Sequence, residues 1–470
     1  MTSVSDNAPE MHHFGAYQPT ALADTMCLVS RRPHLLYVAW GYPPCRGGGV
    51  YRALATPNAF AAAGWDVTVL TVDRDTFLKY TGTDESLEAL INPAINVVRT
   101  PFVWDALETD IRRYSWLRAH APRVWRRWRK YAEKCKRFPD IGYSGWRPDL
   151  EAAATRIHAE HPVDLVVATA NPATAWMAAW ALHKSAGVPY VLDQRDGWTL
   201  DVFSGQRHHT ERSRIGRWER RLLSSAREAW FVNEPIRTWY AKEYPALADR
   251  MHVVMNGWDA DLAPAAAAPT PATRPLTFGY IGTISRMVPL GEFVAGWERA
   301  RASDDVVAQA RAVLRGYLGF YTTPNPAQLQ LVTDAEKSGV SFDGPVPKAE
   351  IASVYNGFDV LLLILGSGLY VTSGKVFEYL ATGLPVVSVH DPSNAATDVL
   401  RGYPLWFPAR SLAPDDIADA LIGAAHAALD ADEATRIAAR EFGQQYRRDR
   451  QLDPRVEALT ISAAAAQVPA

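Results

Sequence analysis

Cysteine is scarce. The 470 residues hold three, Cys27, Cys45 and Cys135, too few and too scattered for a disulfide framework or a zinc site. A reducing compartment, hence a cytoplasmic location, is the simpler expectation. An excess of one charge is also missing. Lysine and arginine number 49 against 51 acidic residues, a net charge of −2, so no global field draws the chain to nucleic acid. No apolar run reaches the roughly 20 residues of a membrane-spanning helix, and no signal peptide is expected. The twelve histidines include the pairs His12–His13 and His208–His209, but no His-Glu-x-x-His helix is present, and no Gly-x-Ser-x-Gly elbow. Asp73–Arg74–Asp75 and Asp259–Ala260–Asp261 spell the metal-binding triplet Asp-x-Asp, yet such triplets arise by chance in a chain with 51 acidic residues. No metal is assigned.

What the chain does have is alternation. HLLYVAW (34–40) is a continuous apolar strand that runs into a Pro- and Gly-rich loop, a helix with Ala, Leu and Phe on one face, and the strand DVTVLTV (66–72). That is a βαβ unit of a doubly wound sheet. INVVRT (95–100), DLVVATANP (164–172), PYVLDQRDGW (189–198), EAWFVN (228–233) and MHVVMNGWDADL (251–262) continue the series. APAAAAPTPATRP (263–275) has no periodicity, and strands restart with LTFGYIGTISR (276–286), ARAVLRGYLGFYT (310–322), VSFDGPVP (340–347) and DVLLLIL (359–365). At 48% hydrophobic content the chain is long enough for two cores, and it reads as α/β with two doubly wound domains joined by a linker over residues 259–275.

Between Ile111 and Arg137 the alternation breaks. Eleven Lys or Arg residues stand against Glu133 alone, interleaved with Trp116, Trp125, Trp128 and Tyr131. Two readings stay open: contact with an anionic membrane surface or an anionic acceptor, and a solvated helix with aromatic anchors into its own domain.

The stretch YVTSGKVFEYLATGLPVVSV (370–389) is a loop, a helix ending at Gly383 and a strand, after the apolar run Leu361–Leu365. Backbone N–H groups of Thr372, Ser373 and Gly374 at the helix start are placed to meet an anion. Lys375 adds a positive charge in the first turn, where it opposes the helix dipole unless a phosphate is there. Glu378, one turn on, is a natural partner for two ribose hydroxyls. A nucleoside diphosphate fits this arrangement; so does an ordinary strand and helix with a surface Lys and a capping-box Glu. Gly47, Gly48 and Gly49 form a second glycine loop, although a dinucleotide fold would want a glycine where Arg52 stands, with Asp73 as its ribose acid.

SGKVFEYLATGLPVV resembles the donor-site motif of the retaining glycosyltransferases of family four, which have the GT-B fold: two Rossmann-like domains facing across a cleft. The resemblance covers about residues 34–440, with 101–150 unmatched. It implies transfer of a sugar, with retention, from a nucleoside-diphosphate sugar to an acceptor hydroxyl or amine, with no cofactor besides that donor substrate. The family has two glutamates here, the first touching the sugar and the second the ribose; Glu378 matches the second and Tyr370 stands at the first. Gly47–Gly49 is similar to the loop that lies against the donor phosphates and the acceptor. Arg195 stands where the family has a histidine and Asp196 keeps its acid, a catalytic candidate; Arg195 contacts substrate or forms an internal salt bridge with Asp193 or Asp196. The family's Gly-Arg-Leu reads Gly282, Thr283, Ile284, so the nearby Arg286 is the candidate phosphate-binding arginine. Loops after Leu314 and Asp343, with Gly344 and Val346, would flank the base. Arg286, Lys375 and the amides of 372–374 would stabilise the leaving diphosphate without a metal.

The expected plan is a loose extension (1–30), an acceptor domain (31–258) with a basic insertion (101–150), the linker (259–275), a donor domain (276–440), and a helix returning to the first domain with a tail (441–470). The acceptor, polysaccharide, lipid-linked or small-molecule, is left open. An epimerase or hydrolase of the same fold and a catalytically silent sugar-nucleotide-binding homologue remain alternatives.

Overall fold

The computed structural model describes residues 31–104, 107–135, 139–140, 142–260, 274–319, 326–347, 350–366 and 368–467. The expected extension, 1–30, the end of the basic run, 136–137, and most of the expected linker, 261–273, lie outside the described residues.

Seven strands form the first sheet: His34–Val38 (β1), Asp66–Val72 (β2), Asn96–Thr100 (β3), Leu165–Ala170 (β4), Tyr190–Gln194 (β5), Glu228–Phe231 (β6) and Met251–Val253 (β7), in the order β3-β2-β1-β4-β5-β6-β7. Six form the second: Thr277–Ile281 (β8), Arg311–Arg315 (β9), Val340–Phe342 (β10), Val360–Ile364 (β11), Val386–Val389 (β12) and Trp406–Pro408 (β13), in the order β10-β9-β8-β11-β12-β13. Every pairing is parallel. Helices cover both faces, which is why the strands read as unbroken apolar runs. Along β1, Leu36 and Val38 enter one core while Leu35 and Tyr37 enter the other. In each sheet the order reverses beside the first strand, β1 next to β4 and β8 next to β11, and crevices at the carboxyl ends of such strands take ligands.

Near both expected borders, side chains pack across from one sheet to the other. Trp258 belongs to the second sheet's core and donates its indole N–H to Gly443 O (2.8 Å). Residue 440 lies inside the helix Glu433–Gln444, whose Ala439 is buried in that same core. The chain returns at Arg448: its N–H bonds Trp258 O (2.8 Å) and its guanidinium pairs with Asp259. The helix Arg448–Gln467 then packs on the helix Val50–Ala62 and adds Leu452, Val456 and Leu459 to the first-domain core that holds Leu35, Tyr37 and Trp230, and Thr460 Oγ1 accepts from the Trp65 indole (2.8 Å).

Candidate active site in the cleft between the sheets

On the second-sheet side, three strand ends and one helix start converge. Gly282 follows β8 with φ of +153°, a conformation open to glycine, and a Cβ there would meet Lys375 Cδ and Nζ at 2.6 Å. The Lys375 side chain therefore lies across a bare backbone. Its ammonium donates to the Tyr280 hydroxyl (2.6 Å), which donates to Thr283 O (3.0 Å). Burial pulls the Lys375 pKa down to about 7, with Glu378 opposing the shift. Lys375 is thus a half-buried base held in one place, not a surface charge. Ser373 caps the helix Gly374–Thr382, accepting from Lys375 N. Among the described residues the amides of Thr372, Ser373 and Gly374 have no hydrogen-bond acceptor. Glu378 Oε2 accepts from the Tyr355 hydroxyl (3.0 Å), so it does not close a capping box. Gly344, with φ of +74°, receives Gly316 N–H on its carbonyl (2.9 Å) beside the half-buried Val346.

On the first-sheet side, Gly47–Gly49 leads into the helix Val50–Ala62. Arg195 lies against this loop, its Nε donating to Ala170 O (2.7 Å) and Nη2 to Asn171 O (2.7 Å). The internal salt bridge expected as an alternative for Arg195 is not formed. Asp193 is instead taken by Arg52, at 2.8 Å from Nε and 2.6 Å from Nη2, and both side chains are buried; Asp196 accepts from Asn171 Nδ2 (2.9 Å). Arg52, where the dinucleotide reading lacks its glycine, also donates to Val254 O (2.7 Å), tying helix, β5 and the end of β7 together. A cavity of about 380 Å³ opens here, walled by Trp40, Trp104, Tyr143, Gly47–Gly49 and Arg195 and closed from the second domain by Thr283, Tyr317 and Gly319. Arg46 reaches across, its guanidinium 4.1 Å from the Tyr317 ring centroid.

The two sides are stitched together at the donor loop. Tyr370 N donates to Val202 O (3.0 Å), and Asn233 Nδ2 donates to Tyr370 O (2.7 Å) and to Thr372 Oγ1 (3.0 Å). The Tyr370 ring packs on the first domain's core. Arg286 is exposed and makes no hydrogen bond or ion pair with Lys375, Glu378 or any other described residue. The Asp-x-Asp triplets have structural duties: Asp73 caps the helix Arg74–Tyr80, and Asp259 pairs with Arg448. Among the described residues no three His, Cys, Asp or Glu side chains are grouped to hold a metal ion. Tyr280, Tyr355, Asn233 and Arg52 go unrecognised in the sequence, where an isolated Tyr, Asn or Arg carries no pattern.

Residues 46–257 match the family described as glycosyl transferase 4-like domain. No curated protein matches the sequence. Among solved structures, sucrose-phosphate synthase from Thermosynechococcus elongatus is 15% identical, with 93% of this chain and 100% of that chain covered and a TM-score of 0.62. HepE from Anabaena, in complex with UDP-glucose, is 15% identical over 91% of this chain and 99% of that one, TM-score 0.58. A protein assigned as a UDP-N-acetylglucosamine 2-epimerase from Listeria monocytogenes is 10% identical over 93% and 98%, TM-score 0.53. Residues 46–257 thus match a glycosyl transferase 4-like domain, and the two doubly wound sheets around one cleft give the chain the GT-B fold.

Proposed function

We propose that the protein moves a sugar from a nucleoside-diphosphate sugar to an acceptor hydroxyl or amine, with retention and without a metal. The observation that carries this is the Gly374 helix start: open amides at 372–374, Lys375 laid across Gly282, and Glu378 one turn on. A diphosphate between the amides and Lys375 would meet fixed dipoles and one cation where negative charge grows as the glycosidic bond breaks. The UDP-glucose held by HepE supports a uridine donor. Asp196 and Arg195, at the opposite wall, are the residues proposed to face the reacting sugar. Arg286, without a partner among the described residues, is proposed to join the diphosphate.

Glu378 is proposed to read the ribose. Its bond to Tyr355 fixes the carboxylate, and hydrogen bonds from ribose hydroxyls to a carboxylate contribute roughly 1.5–3 kcal/mol. Glu378→Ala is therefore expected to weaken UDP binding by about ten- to a hundredfold, and to weaken an analogue lacking both ribose hydroxyls much less. Calorimetry on both ligands measures the difference. Equal weakening of the two would mean that Glu378 supports Tyr355 and not the nucleotide.

Epimerisation is the second reading, favoured by the likeness to the Listeria protein. Incubation with a panel of nucleotide sugars separates the two: epimerisation proceeds without an acceptor, transfer does not, and a silent homologue binds without turnover.

Residues 111–137 are proposed to rest on an anionic membrane surface at the cytoplasmic face. On the helix Pro122–Cys135, Val124, Trp128 and Tyr131 are 58, 53 and 62% exposed along one stripe, while Ala132 beside them is buried. Arg123, Arg126, Arg127 and Lys130 are all exposed. An apolar stripe edged by cations suits the headgroup region, and each cation there contributes about 1 kcal/mol. Arg126→Gln with Arg127→Gln is expected to lower partitioning onto phosphatidylserine vesicles about thirtyfold. Flotation of the wild type with neither neutral nor anionic vesicles would sink the membrane reading.

A further inference from the structure

Resting on the transferase reading, we propose that the aromatic cavity beside Gly47–Gly49 binds the acceptor, and that this acceptor is a sugar carrying a phosphate or carboxylate. Three aromatic side chains, Trp40, Trp104 and Tyr143, line it, held edge to face, with Trp40 at 6.1 Å from Trp104 and 5.4 Å from Tyr143. Aromatic walls suit the C–H face of a pyranose ring. Trp104 and Tyr143 both come from residues 101–150.

The charge comes from Arg195. Carbonyls of Ala170 and Asn171 fix its guanidinium without neutralising it, and among the described residues no carboxylate stands within ion-pair distance of it. A half-buried cation left so is unfavourable until an anion arrives. Gly49 shows that the placement is built. Its φ of −76° and ψ of −12° are ordinary helical values that any residue adopts, yet a Cβ there would lie 1.3 Å from Arg195 Nη1. Glycine is needed for the space the guanidinium fills, at the start of a 13-residue helix whose dipole also favours an anion. Trp40, only 7% exposed, lines the cavity, and among the described residues its indole N–H has no hydrogen-bond partner.

Calorimetry on the full-length protein tests this. UDP binding is measured first, and its absence would sink the transferase reading by itself. Glucose, glucose 6-phosphate and glucuronate are then titrated into the UDP-saturated protein. One or both anionic sugars are expected to bind at least tenfold tighter than glucose, which also tells phosphate from carboxylate. Arg195→Gln and Gly49→Ala, each titrated at saturating UDP, should abolish that preference, and Trp104→Ala should weaken all three sugars. Equal affinity for the three sugars overturns the proposal, as does a preference that survives both variants. Inorganic phosphate binding as tightly as glucose 6-phosphate would reduce the site to a bare anion site. Loss of UDP binding in Arg195→Gln would assign the guanidinium to the donor. Either result overturns the proposal.

Discussion

Arg52→Ala is expected to destabilise the first domain by about 3–5 kcal/mol, the scale of removing one partner from a buried ion pair. Asp193 would be left fully buried with its charge uncompensated, and the carbonyl of Val254 would lose its donor. In a domain of this size the melting temperature should fall by on the order of 10 °C. Replacing both partners by apolar residues of similar volume should restore most of the loss, because no charge is then stranded. Thermal unfolding of the single and double variants decides: a drop below about 2 °C in Arg52→Ala would mean that water or another cation reaches Asp193.

Lys375→Ala is expected to lower kcat/KM by about 10²-fold or more, the scale of deleting one electrostatic partner of the transition state. The titration of the same residue gives a finer test. Free, Lys375 has its pKa lowered to about 7 by burial, with Glu378 the opposing charge; beside a diphosphate the ammonium is favoured and the pKa rises. At pH 8 the free amine is mostly neutral, so binding of UDP-glucose should take up close to one proton; at pH 6 it is already charged, and uptake should vanish. Affinity should fall as pH rises above about 7. In the unliganded protein the sign is opposite. The unfolded chain holds the Lys375 proton up to its ordinary pKa of 10.5, so stability should rise with pH between about 7 and 10.5. Calorimetry in buffers of different ionisation heat reads the uptake. An uptake of zero at pH 8, with unchanged turnover in a folded Lys375→Ala protein, would leave Lys375 as packing for Gly282.

The sheets are legible in the sequence because a parallel strand buried on both faces is a continuous apolar run, and twelve such runs stand out between loops. The thirteenth strand, Trp406–Pro408, is not: three residues ending in proline at a sheet edge carry almost no periodicity. Within the site, Gly374, Lys375 and Glu378 can be read because one helix start sets all three, and their chemistry follows from spacing along a single turn. Their partners cannot. Tyr280 is 95 residues from Lys375, Asp193 is 141 from Arg52, and Asn233 is 139 from Thr372; such pairings exist only after two sheets have formed and met. Arg286 shows the converse, a residue placed by motif position that no described side chain or carbonyl holds.

The crossing of the Arg448–Gln467 helix onto the first domain has a consequence for synthesis. The first sheet is complete once Val253 has been made, but the core that holds Leu35, Tyr37 and Trp230 lacks Leu452, Val456 and Leu459 until these leave the ribosome. At ~5–20 residues per second, the roughly 200 intervening residues take about 10–40 s. Throughout that interval the nascent first domain presents an apolar face to solvent, and a stop codon anywhere before Arg448 would make the exposure permanent. The amino-terminal half is therefore the last part of the molecule to be finished.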